Sequence, residues 1–425
     1  MSPRTLEIPS SRARFAGLST SLACLAALLT TTRADAQAPA PAAPAAETAP
    51  TPPATTPPPA EPVVVAEPAP VVLAQVEPPP APTTPAESMP STATEPKKLP
   101  PIGVAAWLRS DVTFQNHDDP KKLDDQTFTP YGELHAGGKI HENVSVTLTL
   151  NAGGSHGGAA IEDAIIGFDI RDEFHVWVGQ LLVPVDRANY GGPFFAIPWN
   201  YTGGIGFVPH EGDFGRNAGV SIWGDCAGGK FKYMLGGFDA GGDAERMLFS
   251  GRLQYDFIGA EPGYFGNATY FGDQDVVALG VGGQYQKDGE TVGTGATALT
   301  DDYTEFNADL LAELKMAGGG WVTGEGGVYV TGGDYPGFAK TAFYLTAAYA
   351  TPKVGIGNIQ PMLRFQMGKG DGDAKTWSVD AALSYLIMGP ALRLVGNFQH
   401  VKTDVDANTS NEANSLTLGA QAIFF

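Results

Sequence analysis

The stretch FHVWVGQLLVPVDRANYGGPFFAIPWNYTGGIGFVPHEGDFGRNAGVSIW, from Phe174 to Trp223, decides how the rest of the chain is interpreted. Its two ends have the character of β-strands, and residues 183–215 lie between them. Loops of that length are uncommon in compact proteins and are usually functional or disordered. This loop is dense in Phe, Tyr, Trp, Pro and Gly, a composition that argues against disorder. We therefore expect it to fold inward and to narrow a wide β-barrel.

Alternating side chains predict the strands of that barrel. In Val144–Asn151, for example, every second residue is Val or Leu, and the residues between them are Ser, Thr or Asn. Because successive side chains of a strand point to opposite faces, this pattern indicates one apolar face and one polar face. The pattern predicts sixteen strands, with fourteen or eighteen as alternatives. They begin near residues 102, 131, 143, 160, 173, 216, 229, 247, 275, 302, 321, 340, 358, 375, 391 and 414.

The connections between these segments alternate in length, as they do in bacterial outer-membrane barrels. Short turns occur at His141-Glu142 and Arg171-Asp172, and longer polar loops lie at the other end of the predicted barrel. One connection, Ile258–Gln274, breaks the pattern, because it is too long for the periplasmic turn expected there. Either that turn is elaborate or the strand count is wrong at this point.

Three observations favour a membrane barrel over a soluble barrel or sandwich, which period-two alternation also allows. Ionisable residues recur on the polar face of successive strands, as a water-filled lumen allows. The chain ends Ala422-Ile423-Phe424-Phe425, which resembles the sorting signal of outer-membrane barrels. Aromatic residues also lie near strand ends, where membrane-interface girdles form. They are Trp107, Trp223, Tyr255, Phe257, Trp321, Tyr349 and Tyr385.

The sequence thus predicts an all-β, transmembrane antiparallel β-barrel in the outer membrane of a Gram-negative bacterium. No apolar run long enough for a membrane-spanning helix, about 18 residues, follows the N-terminal segment. A strand-built membrane protein must then be a closed barrel, so that its backbone groups are hydrogen-bonded. We expect outer-membrane lipid around the barrel and recognition of Phe425 by the barrel-assembly machinery.

The predicted domains are a signal peptide (1–36), a Pro/Ala-rich periplasmic linker (37–101) and the barrel (102–425). The signal peptide has basic residues, an apolar stretch and the Ala34-Asp35-Ala36 cleavage pattern. The linker holds 21 of the 34 prolines and no glycine, a composition expected to stay disordered and extended. It is either a passive spacer or a tether that contacts peptidoglycan.

The charge of the barrel region excludes one class of partner. Residues 102–425 contain 38 Asp and Glu against 20 Lys and Arg, a net charge near −18. Nucleic-acid-binding proteins need a basic face, so nucleic acid is not expected as a partner. The seven histidines show no metal-ligand spacing, and no motif places a nucleophile beside a base. We therefore predict no catalytic residue, no metal and no cofactor.

Two blocks of sequence resemble the phosphate-selective porin O and P family. The first is Val178–Pro184 with Asp186-Arg187 and the turn at Gly191–Phe194, and the second is Thr269–Val276. In general porins, the connection between the fifth and sixth strands folds into the pore. The resemblance implies a homotrimeric outer-membrane channel for small solutes, including anions such as phosphate.

The residues expected to form the pore follow from the loop and from the alternation. The predicted constriction-loop residues are Asp186, Arg187, Tyr190, Phe194, Phe195, Trp199, Tyr201, Glu211, Asp213 and Arg216. The predicted pore-lining residues are Arg109, Asp111, Lys232, Arg252, Asp256, Glu305, Asp309, Arg364, Asp380 and Arg393.

Acidic residues are at least as numerous as basic ones among the candidate lumen side chains. Arg187 and Arg216 are expected to fix the loop by pairing with Asp186, Glu211 or Asp213. Facing rows of opposite charge would orient solutes without strong selection by sign. The predicted function is passive diffusion of small hydrophilic solutes and ions through a water-filled channel. The alternative is a structural or adhesive barrel whose Pro-rich arm is the working part.

Overall fold

The computed structural model describes residues 102–116, 122–123, 125–153, 158–200, 215–239, 246–292, 299–332, 339–370, 374–405 and 409–424. The predicted signal peptide and linker lie outside these residues. So do three predicted constriction-loop residues and the terminal residue of the sorting signal, namely Tyr201, Glu211, Asp213 and Phe425.

Sixteen antiparallel strands make up most of the described chain. They are β1 (Gly103–Gln115), β2 (Asp125–His141), β3 (Val144–Gly153), β4 (Ala159–Arg171), β5 (Phe174–Leu182), β6 (Arg216–Cys226), β7 (Phe231–Asp239), β8 (Leu248–Ile258), β9 (Val276–Val292), β10 (Leu299–Lys315), β11 (Trp321–Gly332), β12 (Thr341–Ala350), β13 (Asn358–Lys369), β14 (Lys375–Leu386), β15 (Leu392–Asp404) and β16 (Ser410–Phe424). The predicted count of sixteen is confirmed, and the alternatives of fourteen and eighteen are wrong.

The sheet closes on itself. Each strand pairs with its neighbours in sequence, and β1 pairs with β16, with Arg109 opposite Gln421. Closure leaves no strand edge with unpaired backbone groups, which is the requirement for crossing a bilayer with strands. We call the end of the barrel where β1 begins and β16 ends the proximal end, and the opposite end the distal end.

The barrel wall is apolar outside and polar inside, the reverse of a soluble protein. The outward side chains of Leu345, Leu363 and Leu383 are 61%, 62% and 58% exposed. The inward side chains of Arg364 and Asp380, on two of the same strands, are 1% and 0% exposed. A continuous apolar outer surface is stable against lipid and not against water. The alternative of a soluble barrel or sandwich with an apolar interior is therefore wrong.

Two connections fold into the barrel. The first, residues 183–215 between β5 and β6, enters from the distal end, and we call it the constriction loop. It contains α1 (Arg187–Gly191), and no helix among the described residues is long and apolar enough to cross a membrane. The second, residues 259–275 between β8 and β9, enters from the proximal end, and we call it the inner turn. The irregularity seen in the sequence is thus an elaborate turn.

The predicted aromatic girdle is only partly correct. Tyr255 and Tyr349 point outward and are more than a third exposed, as expected for the membrane interface. Trp107, Trp223 and Trp321 instead point into the barrel, and Trp223 and Trp321 are buried there. The reason is that each packs against one of the two inward connections, so an apolar ring is favourable on the inner face at these positions.

Candidate pore and constriction

The constriction loop begins on an apolar bed inside the barrel. Leu181, Leu182 and Val183 are at most 1% exposed and pack in one cluster with Tyr264 of the inner turn. The Tyr264 hydroxyl donates a hydrogen bond to the Leu182 carbonyl over 2.6 Å. The root of the loop is therefore held by the inner turn as well as by the strand it leaves.

Asp186 begins the short helix α1. It has extended backbone geometry and accepts a hydrogen bond from the Asn189 backbone N–H over 2.7 Å, which is an N-cap. The side chain is buried. Burial, together with the nearby Asp309 carboxylate, raises the pKa of Asp186 to about 6. The cap is therefore a carboxylate that costs free energy to ionise.

We expect the substitution Asp186→Asn to flatten the dependence of stability on pH. Because the folded-state pKa exceeds the ordinary value of 3.8, the folded protein keeps a proton that the unfolded chain has lost. The contribution of Asp186 to wild-type stability should therefore fall by up to about 3 kcal/mol as the pH rises from about 4 to about 6. Asn keeps the capping oxygen but does not titrate. The measurement is the urea unfolding midpoint between pH 4 and pH 7, followed by tryptophan fluorescence.

The control for this experiment is Asp172→Asn, in the exposed turn between β4 and β5. Its pH profile should superimpose on that of the wild type. A profile for Asp186→Asn that equals the wild-type profile would contradict the role given to this carboxyl.

Arg187, the first residue of α1, is held by two carboxylates. Its guanidinium makes a bidentate contact with Glu261 of the inner turn, over 2.8 Å and 2.6 Å. Its Nε lies 3.5 Å from Asp309 on β10, and Arg252 of β8 pairs with the same Asp309. The predicted pairing of Arg187 with Asp186 is wrong, because the helix turns the two side chains to different partners.

Arg216 also differs from its predicted role. It is the first residue of β6 rather than part of the loop, and it forms ion pairs with Glu162 (2.9 Å) and Asp163 (3.3 Å) on β4. It thus links two strands near the point where the loop ends. The predicted partners Glu211 and Asp213 lie outside the described residues.

Three inward arginines hold the second described part of the loop, residues 193–200. Each of them donates hydrogen bonds to backbone carbonyls of the loop. These contacts therefore do not depend on acidic side chains in the loop. The bonds are Arg109 Nη1 to Pro193 O (2.8 Å), Arg109 Nη2 to Trp199 O, Arg393 Nη1 to Ala196 O (2.8 Å) and Arg364 Nη1 to Asn200 O (2.9 Å). These residues therefore position the loop rather than line open water.

Trp199 is the main anchor of this segment. Its ring is contacted by the guanidinium groups of both Arg109 (3.7 Å from the ring centre) and Arg393 (5.3 Å). Its indole N–H donates to Asp111 over 3.1 Å. Gly419 of β16 leaves the space that the ring fills, because an added Cβ there would lie 2.7 Å from Cε2 of Trp199.

The same segment rests on apolar side chains of the inner wall. Ile197 and Trp199 pack in one buried cluster against small or flexible residues of β12–β15. These wall residues are Ala348, Met362, Ala382 and Val395. Phe194 and Phe195 both contact the ring of Trp107 on β1, with centroid distances of 5.3 Å. The described loop thus follows the inner wall from β8 to β1.

The predicted pore-lining residues all lie on the inner face, but only one is partly open. Asp111 is half-buried, whereas the others are at most 7% exposed. Their contacts are mostly with one another or with the two inward connections. Arg364 and Asp380, for example, form an ion pair over 3.1 Å. On β8 to β14 the inward side chains are buried beneath the constriction loop and the inner turn.

Among the described residues, the inner wall stays open on β1 to β3 and also at the distal ends of β15 and β16, where Gln399 and Ser415 are half-exposed. On β1 to β3 the inward side chains of Asp111, Thr113, Tyr131, His135 and Thr147 remain half-exposed. This sector is the part of the described inner wall that a passage through the barrel could use. Only Asp111 of this set was predicted to line the pore, because alternation identifies the inner face without showing which part of it the loop covers. Within the described strands and loops, no three His, Cys, Asp or Glu side chains converge as metal ligands would.

The closed sixteen-stranded barrel, its polar inner wall and the inward loop after β5 together define the fold of outer-membrane β-barrels. No family model matches the sequence. No curated protein matches it either. Solved structures do match the fold, and the covered share is 76% of this chain in each of those described next.

Three of these structures show the range of the similarity. OprB of Pseudomonas putida is 10% identical with a TM-score of 0.53, and 94% of its chain is covered. An anion-selective porin from Comamonas acidovorans is 14% identical with a TM-score of 0.50 and 99% coverage. OmpT, an outer membrane protein of Vibrio cholerae solved in a trimer form, is 12% identical with a TM-score of 0.50 and 99% coverage. At these identities the likeness concerns the fold alone.

Proposed function

We propose that the protein is an outer-membrane porin that lets small hydrophilic solutes and ions diffuse passively through a water-filled channel. The observation that carries this proposal is the half-open inner wall of β1–β3 beside a loop that is firmly packed on the remaining wall. Sixteen strands enclose a lumen too wide to be filled by wall side chains alone. The described part of the constriction loop, residues 183–200, narrows that lumen and leaves inward side chains of β1–β3 half-exposed.

The charges of the interior favour a general channel with a weak preference for cations. Among the described residues, eleven buried carboxylates face six buried Lys and Arg side chains. Anion-selective pores use rings of Arg or Lys. Here Arg187, Arg252 and Arg364 are paired with carboxylates, and Arg109 and Arg393 donate to loop carbonyls. We therefore do not expect the selectivity for phosphate that the resemblance in sequence implies.

The assembly and the location of the N-terminal arm belong to the same proposal. A homotrimer is supported by the trimer form of the similarly folded OmpT. Residues 37–101 would form a periplasmic arm after removal of the signal peptide, close to peptidoglycan. Light scattering of the purified protein in detergent tests the trimer, and co-sedimentation with isolated peptidoglycan tests the arm, with a variant lacking residues 37–101 as control.

The proposed function predicts a stable, open conductance. Purified protein in a planar bilayer should give discrete steps, and the reversal potential in a KCl gradient should have the sign of weak cation preference. An anion-selective reversal potential would contradict the charge argument but not the channel. Absence of steps from well-folded protein would contradict the channel itself.

That last outcome would favour a structural or adhesive barrel anchored through its Pro-rich arm. One observation supports this second candidate: the two inward connections together cover the inner wall from β8 to β14. A variant without the arm would then lose its cell-envelope phenotype while its barrel stays folded, whereas a porin variant without the arm would keep its conductance.

A further inference from the structure

The inner turn reaches far enough into the barrel to hold the constriction loop from the side opposite to the loop's own entry. It contacts the loop at three separate places. Tyr264 binds the Leu182 carbonyl at the root, Glu261 binds α1, and the Ala268 and Thr269 backbone N–H groups both donate to the Phe195 carbonyl, over 3.1 Å and 3.2 Å. The two connections therefore form one packed unit inside the wall.

Glu261 is the strongest of these contacts. Both its carboxylate oxygens bind Arg187, and they also accept hydrogen bonds from the Tyr270 hydroxyl (2.6 Å) and the Gln254 amide (2.8 Å). Arg187 and Glu261 side chains are each 1% exposed. Although burial acts in the opposite direction, the Arg187 guanidinium holds the pKa of Glu261 below its ordinary value. The carboxylate is thus ionised and fully coordinated.

The inner turn is itself fixed to the wall, so it provides a rigid support. Glu313 of β10 accepts from the Thr269 hydroxyl (2.6 Å) and from the backbone N–H groups of Tyr270 (3.1 Å) and Gly272 (2.8 Å). Asp256 of β8 accepts from the Glu261 backbone N–H over 2.6 Å. Movement of Glu261 relative to the barrel is therefore restricted on both sides.

The helix α1 needs such a support. It has five residues, and a helix of one turn and a half is not stable by itself in water. Its position must come from tertiary contacts. On its inner-wall side these are Asp309 and the cluster with Tyr329 and Tyr344, and on the proximal side the contact is Glu261.

We propose that Glu261 is a positioning residue that sets the aperture of the channel by holding Arg187, so that the constriction is built from both ends of the barrel. The inference rests on the proposed diffusion function only where it concerns the aperture. The contact between the inner turn and the constriction loop can be tested by disulfide formation, which requires no channel recording.

The first test compares Glu261→Gln with wild type in single-channel recordings. Glutamine keeps the shape of the side chain and removes its charge, which leaves Arg187 with Asp309 as its ionic partner. The loop should then leave its held position more often, seen as excess current noise and sublevels. We expect the released fraction to rise at least about tenfold, since removing one partner of a buried ion pair is strongly unfavourable.

The matched control is Glu173→Gln, at a proximal turn where the side chain is exposed and lies 3.8 Å from Arg171. Its recordings should equal those of wild type. Quiet, wild-type traces from Glu261→Gln would overturn the proposal. A folded wild type without current would overturn the proposed function and leave the positioning role to the second test.

The second test measures how close the two connections stay. A Cβ added at Gly191 would lie 2.8 Å from the Ala268 Cβ, which is shorter than the Cβ separation of roughly 3.8 Å in a disulfide, so the two segments need to move apart by only about 1 Å to accept one. In a Cys226→Ser background, the pair Gly191→Cys and Ala268→Cys should form a disulfide rapidly on mild oxidation. Adding Glu261→Gln should slow that formation by the factor by which the held fraction of the loop falls, because the two thiols meet only while the loop is held. Equal rates with and without Glu261→Gln would overturn the positioning role.

The oxidised pair supplies a rescue experiment. With the disulfide formed, the Glu261→Gln variant should return to quiet recordings, and reduction should restore the noise. A lasting defect despite the disulfide would mean that Glu261 acts only on overall folding, which would also overturn the proposal.

Discussion

Arg187→Met is expected to lower the stability of the barrel by about 3–5 kcal/mol, the largest effect of any single charge substitution here. The change leaves Glu261 without its guanidinium partner in a site where the carboxylate is 1% exposed. Asp309 is less affected, because Arg252 donates to it as well, over 2.8 Å from Nη2. The measurement is the urea unfolding midpoint in detergent, with tryptophan fluorescence as the signal.

Two further variants show whether the loss comes from an orphaned charge. Arg171→Met removes an exposed pair with Glu173, and such surface pairs contribute about 0–1 kcal/mol. The double variant Arg187→Met, Glu261→Leu removes both buried charges and should recover much of the lost stability, since an apolar pair can replace a buried ion pair. A double variant as unstable as Arg187→Met alone would refute this explanation.

Gly419→Ala is expected to dislodge Trp199 and to destabilise the protein by about 3 kcal/mol or more, because overpacking and loss of a buried aromatic act together. The alanine Cβ would overlap the indole ring, lying 2.7 Å from Cε2. With the ring displaced, Arg109 and Arg393 lose their stacking partner. The recordings should show a noisy, variable conductance, and the urea midpoint should fall.

Gly396→Ala is the matched control, on the adjacent strand β15. Gly396 points to the lipid side, and an added Cβ would lie 3.6 Å from the Leu418 side chain, an ordinary contact. Its conductance and midpoint should match those of wild type. A comparable defect in both alanine variants would show that strand β-propensity, rather than Trp199, causes the loss.

The fold was predictable because the bilayer imposes a simple rule on every strand. Outward residues such as Leu363 must be apolar, and inward residues such as Arg364 are free to be polar, so alternation reveals each strand separately. Pairing between neighbours in sequence then follows, because an up-and-down barrel has only short-range connections. The loop after β5 was predictable for a similar reason: apolar residues in a long connection need a surface to cover them.

The partners inside the barrel were not predictable in the same way. Arg187 pairs with Glu261, a residue 74 positions away on a different connection. Nothing in the alternation of a single strand indicates such a contact. The inward tryptophans were misplaced for the same reason, since Trp223 is apolar and near a strand end but packs on Tyr264 of the inner turn.

Small residues in the sequence nevertheless marked the part of the inner wall that the constriction loop covers. The inner face of β9 carries Ala278, Gly280 and Gly282, and that of β12 and β14 carries Ala348 and Ala382. Small residues at positions that should be polar leave room for something else to pack. An added Cβ at Gly282, for example, would meet the Val185 carbonyl of the loop. Searching the inner face for small residues would have located the bed of the loop.

Because the inner wall is covered on some strands and open on others, inward residues are under different evolutionary constraints on different strands. On β8 to β14 an inward side chain is part of a packed core, and most replacements there are penalised through folding before any solute is involved. On β1 to β3 a replacement at Thr113 or Thr147 meets water, so it changes the inner surface at little cost in stability. A replacement on β1 to β3 is therefore less constrained by packing than one on β8 to β14, which makes that sector the natural place to engineer the size and charge of the inner wall.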